Sequence, residues 1–201
     1  MNREYISVSM IRPTLDGLPS FDLPQSYRLR GYRPGDEAAW VAIHVDADPY
    51  HHFDAAVFAK EFSTDQTLLT ERQMYLCPMG EDGSEGPPIG TATAWFGVEE
   101  ARRSEGLVHW VAIHPSYQGR GLAKPLLAAT CHRLCVLGHQ RAYLNTSTVR
   151  IPAINLYLSF GFIPAMRHDT AITQRAWEQV AAQLDHPAIA QFLAALRTQT
   201  P

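Results

Sequence analysis

The sequence has no excess of basic residues, and this limits the partners that it can attract. It contains 17 Lys and Arg against 20 Asp and Glu, with a net charge of −3 and a pI near 6.3. Proteins that bind nucleic acid or anionic membranes through their overall charge are strongly basic. We therefore expect no nucleic-acid partner, and we expect ligands to be recognised at a local site.

Long hydrophobic runs are also absent. A helix that crosses a bilayer needs about 20 apolar residues, and no apolar stretch approaches that length. Residues 1–10 lack the apolar core and the cleavage pattern of a signal peptide. Cysteine is scarce too, because only three are present, which fits a reducing compartment better than a disulfide framework. We expect a cytoplasmic protein that has no membrane contact.

A metal site is not expected. Cys131, Cys135 and His139 follow one another at four-residue spacing, so a helix would bring them to one edge. However, the leucines between residues 122 and 137 form an apolar stripe, which turns Cys135 and His139 towards the polar side. A zinc site would also need a fourth ligand or an open catalytic position.

Length and composition favour a single α/β domain. A chain of 201 residues with 46% hydrophobic side chains can bury one core and is short for two. Residues 11–26 carry three prolines, which predicts an extended surface segment. We therefore divide the chain into an N-terminal extension at residues 1–26 and a domain at residues 27–201.

Hydrophobic periodicity predicts the elements of this domain. A strand at 5–10 precedes it, and residues 27–167 follow the order β-α-α-β-β-β-α-β-α-β. The clearest predictions are strands at 27–33, 72–77, 89–98, 107–115 and 162–167, and helices at 54–62, 121–137, 173–184 and 186–196. We therefore expect a helical C-terminal region, with a final strand that is short or supplied by the N-terminal segment.

Residues 109–123 form the most informative stretch, because a strand passes through a glycine turn into a helix. The first N–H groups of a helix have no intrahelical partner and attract phosphate. Gly119 and Gly121 let the backbone bend and let an oxygen approach, and Arg120 adds positive charge. Lys124 occupies a position that must be glycine in both the dinucleotide and the P-loop fingerprints, so the segment is a different anion site.

Two motifs carry a resemblance to a known family. Residues 118–123 read Q-x-x-G-x-A, which resembles the pyrophosphate-binding signature of the GNAT N-acyltransferases. Downstream, an A-x-x-L-Y-x-x-x-G-F pattern resembles the second signature of that family; its members are Ala153, Leu156, Tyr157, Gly161 and Phe162. The two motifs stand in the expected order and cover under half of the chain.

The resemblance implies an α/β fold with a mixed, twisted central sheet and helices on both faces. It also implies an enzyme that moves an acetyl group from acetyl-CoA to a primary amine of a small molecule or peptide. The motifs leave open a non-catalytic acyl-CoA sensor and the transfer of a longer acyl group. The oligomeric state is open as well, with a homodimer among the alternatives.

Cofactor contacts are implied at three places. The strand before the turn would pair with the pantetheine arm, and the turn would hold the pyrophosphate. Many members carry asparagine seven residues before the motif tyrosine; here Arg150 stands there, and Asn155 inside the helix is the candidate. The implied cofactor-binding residues are Val111, Ala112, Ile113, Gln118, Gly119, Arg120, Gly121, Leu122, Ala123 and Asn155. Arg150 is left free for a CoA phosphate or an acidic substrate.

Tyr157 resembles the general acid of the family, which protonates the departing thiolate. Strand alternation would place His109 on the face of Val111 and Trp110 on the opposite face, so His109 is the candidate base. Its alternatives are a water chain or the acids Glu99 and Glu100.

The segment DADPYHHFD at residues 46–54 is predicted to form a wall of the substrate pocket, and its acids would favour a cationic amine.

Overall fold

The computed structural model describes residues 4–62, 65–99 and 102–198, which contain both strands and helices. The strands are β1 (Ser7–Arg12), β2 (Tyr27–Gly31), β3 (Gln73–Pro78), β4 (Gly90–Phe96), β5 (Gly106–Ile113), β6 (Ala142–Ser147) and β7 (Ile163–Ala165). The helices are α1 (Asp36–Ala47), α2 (Ala55–Glu61), α3 (Gln66–Arg72), α4 (Ala123–Val136), α5 (Ile151–Ser159), α6 (Thr170–Ala181) and α7 (Pro187–Thr198).

Within the described residues the strands form one sheet in the order β2-β3-β4-β5-β6-β1-β7. Strand β1 lies between β6 and β7 and is antiparallel to both. Its inward-facing Val8 and Met10 are almost fully buried. The N-terminal segment thus contributes a strand, as the sequence allows, and residues 7–12 pair inside the sheet of the domain.

Helices cover both faces of this sheet. On one face, buried side chains of α4 to α7 form a cluster with residues of β1 and β6 such as Met10 and Leu144. On the other face, aromatic side chains from α1, α2 and the chain after them pack against Trp95, Leu107 and Tyr143 of β4 to β6. The predicted mixed sheet with helices on both faces and a helical C-terminus is confirmed.

Strands β5 and β6 separate soon after they meet. They pair in parallel only at Gly106 with Ala142 and at Leu107 with Tyr143. Beyond that point β5 continues to Ile113 without a strand partner on the β6 side, so the edge of its backbone is open. This separation creates a gap in the middle of the sheet.

Strand β5 also carries a bulge against β4. Thr93 pairs with His109 and Thr91 pairs with Ala112, so Trp110 and Val111 together face one residue of β4. Trp110 adopts a φ of 48°, the left-handed region that side chains rarely occupy. The bulge changes the directions in which the side chains of Trp110 and Val111 point.

Helix α3 was not predicted. It has only seven residues and begins beside residues 63–64, which the structure does not describe. A helix of two turns is too short to show a helical period in its apolar residues. Asp65 starts it by accepting hydrogen bonds from the N–H groups of Thr67 and Leu68. In the described ranges, no helix is both long and apolar enough to cross a bilayer.

Candidate active site

A cavity of about 470 Å³ lies where β5 and β6 separate. Its walls come from β5, the end of β6, the start of α5, the segment after α1 and the residues before β1. The cavity brings together several residues that the sequence analysis selected: His109, Val111, Ala112, Ile113, Gln118 and Tyr157. The remaining candidates lie in the turn beyond it or on the surface.

The glycine turn at residues 118–123 lies at the exit of β5 and leads into α4. Gly119 and Gly121 have φ of 75° and 78°, and a Cβ at either position would meet no atom within 4 Å. Within the described ranges, the backbone N–H groups of residues 119–123 donate to no protein acceptor. A run of free N–H groups at the positive end of a 14-residue helix fits an anionic group.

The side chains of the turn hold its shape. Gln118 donates from Nε2 to the carbonyl of Ile113 at 2.8 Å, which ties the turn to the end of β5. Arg120 donates from Nη2 to the carbonyl of Ser116 at 2.9 Å and lies over the ring of Tyr117. Leu122 is buried in the core beneath α4. The turn therefore presents its backbone outward and anchors its side chains in the protein.

Asn155 is exposed in the middle of α5 and is not among the residues that line the cavity. The geometry therefore does not bring it to the other candidates, and its cofactor contact stays a prediction. Arg150, just before α5, does line the cavity.

Tyr157 lies on α5 with its ring against Phe162, and only 7% of its surface is exposed. Burial raises the pKa of Tyr157 to about 12, although the charge of Arg150 acts in the opposite direction. The phenol is therefore protonated at neutral pH. Because Tyr157 also lines the cavity, it can donate a hydrogen bond to a group bound there.

His109 is paired with a carboxylate that the sequence analysis did not select. Its Nε2 lies 3.2 Å from Oε2 of Glu61, and Nε1–H of Trp110 donates to the same oxygen at 3.0 Å. The bond from His109, helped by the one from Trp110, lowers the pKa of Glu61 despite partial burial. A carboxylate only accepts hydrogen bonds, so Nε2 carries the proton and Nδ1 keeps the lone pair.

The predicted side-chain directions in β5 are wrong. Trp110 was expected opposite His109, but both rings contact Glu61 and lie on the α2 side of the sheet. Val111 was expected on the face of His109, but it packs towards α4 on the other side. The bulge explains both differences, because its additional residue interrupts the alternation of the strand.

Glu99, one of the two alternative acids, is not placed to compete with His109. Glu99 forms ion pairs with Arg102 and Arg167, and it is not among the residues that line the cavity. Glu100 lies outside the described residues.

The segment after α1 forms the predicted pocket wall, but its acids are engaged. Oδ2 of Asp48 lies 2.5 Å from Nη2 of Arg150 and 2.8 Å from Nδ1 of His51, and Oδ1 accepts the N–H of Tyr50. Burial would raise the pKa of Asp48, but these partners outweigh it and hold the pKa below its usual value. The expectation that acids of this segment attract a cationic amine is therefore not supported at Asp48, the one acid that lines the cavity.

His44 is a second buried imidazole at the cavity. Its Nδ1 lies 2.8 Å from the carbonyl of Trp40, and its Nε2 has no hydrogen-bond partner in the described residues. Burial lowers the pKa of His44 to about 4, against the weaker opposite effects of the Trp40 carbonyl and Asp48. His44 is neutral at pH 7, and no local motif in the sequence distinguishes it from an ordinary core residue.

Metal ligands do not gather at this site or elsewhere in the described ranges, where no three His, Cys, Asp or Glu side chains could hold an ion together. Cys131 is buried in the core, which raises the pKa of its thiol to about 12.

Comparisons with known proteins agree with this fold. A mycothiol acetyltransferase from Thermobispora bispora is 28% identical over 158 residues, which are 76% of this chain and 52% of that protein. A GCN5-related N-acetyltransferase from Sphaerobacter thermophilus superposes with a TM-score of 0.60 at 21% identity, over 80% of this chain and 50% of that one.

A NatC complex solved with Gag peptide and CoA gives a TM-score of 0.59 at 19% identity, over 73% of this chain and 90% of that one. At such identities the structural matches show a shared fold. The chain spans about half the length of the curated relatives it matches. The acetyltransferase (GNAT) family model matches residues 37–162. Since that match extends over more than half of the chain, the protein belongs to the acetyltransferase (GNAT) family.

Proposed function

We propose that the protein transfers an acetyl group from acetyl-CoA to a primary amine of a small molecule or peptide. One observation carries the proposal: the free N–H groups of residues 119–123 follow the exit of β5, and the same strand brings His109 to the cavity that Tyr157 of α5 also lines. An anion site and nearby proton-transfer groups are what a thioester acyl transfer requires.

The turn is proposed to hold the pyrophosphate of CoA, because its backbone fits that group. Its glycines leave space at the backbone, and its free N–H groups are available to an anionic ligand. The unpaired edge of Val111 to Ile113 is proposed to receive the amide groups of the pantetheine arm. When bound, the cofactor supplies the activated acetyl group as a thioester.

Tyr157 and His109 are proposed to handle the protons. With a pKa raised to about 12, Tyr157 keeps its proton and donates a hydrogen bond towards the leaving sulfur. His109 can accept the proton of the amine at Nδ1, while Glu61 holds the opposite nitrogen. Glu61 is thus a positioning residue that orients the imidazole through this hydrogen bond.

The proposal is tested by measuring acetyl-CoA binding calorimetrically and the release of free CoA thiol with a panel of amines. The panel should include the acceptor of the mycothiol acetyltransferases, since the curated relatives carry that name. We expect binding, and thiol release that depends on one class of amine. Binding without turnover on any amine would instead support an acyl-CoA sensor. A preference for an acyl-CoA with a longer chain would instead support the transfer of a longer acyl group.

A further inference from the structure

Arg150 occupies an unusual place in the cavity, because it is the one Lys or Arg among the described lining residues. It precedes α5 at the N-cap position, and that helix has no acid in its first turn and no side-chain cap. Its guanidinium carbon lies 5.8 Å and 5.9 Å from the ring centres of Tyr5 and Tyr50. Arg150 is therefore held by aromatic rings at the positive end of a helix.

Asp48 fixes Arg150 and does not use all of its donors. Nη2 of Arg150 contacts Oδ2 of Asp48 and approaches Nδ1 of His51, whereas Nε and Nη1 have no hydrogen-bond partner within the described ranges. Both oxygens of Asp48 are already engaged. This wall of the cavity therefore offers free donors to an anion at Arg150. At Asp48 it offers no free oxygen to an ammonium group.

We infer that Arg150 binds a carboxylate of the acceptor, so that the preferred substrates are amines that also carry a carboxylate. This inference rests on the proposed acetyl transfer. Arginine presents a planar set of donors that matches the two oxygens of a carboxylate. The rings and Asp48 hold the side chain in place, which reduces the entropy lost on binding.

The carboxylate can belong to a free amino acid or to an acidic residue next to the N-terminal amine of a peptide. Two pairs of substrates distinguish these sources. The first pair is an amino acid and its carboxamide. The second is a dipeptide amide with Glu at its second position and the same peptide with Gln.

The test compares kcat/KM within each pair for the wild type and for Arg150→Gln. We expect the wild type to prefer the acid of one pair by about 10- to 100-fold, the range for a hydrogen bond between charged groups. Arg150→Gln should lower kcat/KM for the acid towards that for its neutral partner, so that the preference is lost, and Arg150→Lys should restore part of the preference. Arg167→Gln is the control, because Arg167 pairs with Glu99 and does not line the cavity.

Equal rates within both pairs for the wild type would overturn the inference while leaving the acetyltransferase proposal intact. A preference unchanged in Arg150→Gln, with thermal unfolding like that of the wild type, would also overturn it. A loss of CoA affinity in Arg150→Gln would assign the residue to the cofactor instead. Absence of turnover on every amine would refute the proposed function itself.

Discussion

The glycine turn after strand β5 and the cavity beside the bulge of that strand present their polar groups in different ways. At the exit of the strand, the glycine turn offers several backbone N–H groups from consecutive residues 119–123. Around the bulge, the cavity depends on single side chains from distant parts of the chain, such as Glu61, His109 and Tyr157. We therefore expect single substitutions to cost little at the turn, where donors are many, and much at the cavity.

Tyr157→Phe should give the largest effect. It removes the hydroxyl group, through which alone this side chain can donate a proton. General acid catalysis typically contributes a factor of about 10² to 10⁴ to the rate, so kcat should decrease by a factor in that range. Acetyl-CoA affinity should remain within about twofold if the turn supplies most of the binding. Steady-state kinetics and calorimetry measure both quantities.

Tyr75→Phe is the matched control for this variant, because its buried hydroxyl bonds Gln73 and does not line the cavity. Turnover as high in Tyr157→Phe as in Tyr75→Phe would show that Tyr157 is a packing residue.

Lowering the pH should destabilise the folded protein through protonation of His44, which lies at the cavity. Because burial lowers its pKa from 6.5 to about 4, the unfolded chain binds a proton at His44 at pH values where the folded protein does not. The free energy of unfolding should therefore decrease by about 3 kcal/mol between pH 6.5 and pH 4 from this group alone. Denaturant titrations at several pH values measure it.

His44→Phe should lack this pH-dependent loss of stability, and the ionisable neighbours Asp48 and His109 remain in both proteins. If the difference in stability between the variant and the wild type does not change with pH, His44 is not held neutral by the fold.

His109→Gln should lower kcat/KM by about 100-fold if the imidazole is the base, and Glu61→Gln should lower it by about tenfold. The smaller effect is expected because Glu61, which is hydrogen-bonded to His109 and does not line the cavity, is proposed to act through His109. Both variants should also change the acidic limb of the pH profile of kcat/KM.

The control for these two variants is His132→Gln on the exposed face of α4. An acidic limb that is identical in all three variants would mean that water or another group accepts the proton.

Gly121→Val should have an effect no larger than that of Glu61→Gln, weakening acetyl-CoA binding by about tenfold. A β-branched residue at a φ of 78° is strained by on the order of 1–3 kcal/mol, and its side chain restricts the approach of a phosphate. The other N–H groups of the turn remain available. Calorimetric titration with acetyl-CoA measures the change.

Gly138→Val is the matched control, since Gly138 has a φ of 87° and equally open surroundings beyond the other end of α4. It should reduce stability similarly and leave affinity unchanged. Equal affinities in the two variants would place the cofactor elsewhere.

The glycine turn could be predicted because its determinants are consecutive. A strand, two glycines and a helix start define the local backbone of residues 109–123, and no distant contact is needed to recognise them. The strands around it were predicted for the same reason, since the alternation of apolar residues is a local property.

The bulge at Trp110 could not be predicted. Nothing within the strand sequence distinguishes a bulged residue from a regular one, and the additional residue is stable only because β4 and α2 pack against it. The wrong directions predicted for Val111 and Trp110 follow from this single event.

The sequence by itself determined most of the order of elements, the family motifs and the glycine turn, because each depends on residues close together in the chain. Tertiary structure alone decided that β1 enters the sheet between β6 and β7, that Glu61 meets His109, and that Asp48 meets Arg150. Each of these contacts joins residues from separate elements. The packing of those elements, which no local pattern encodes, selects the partner.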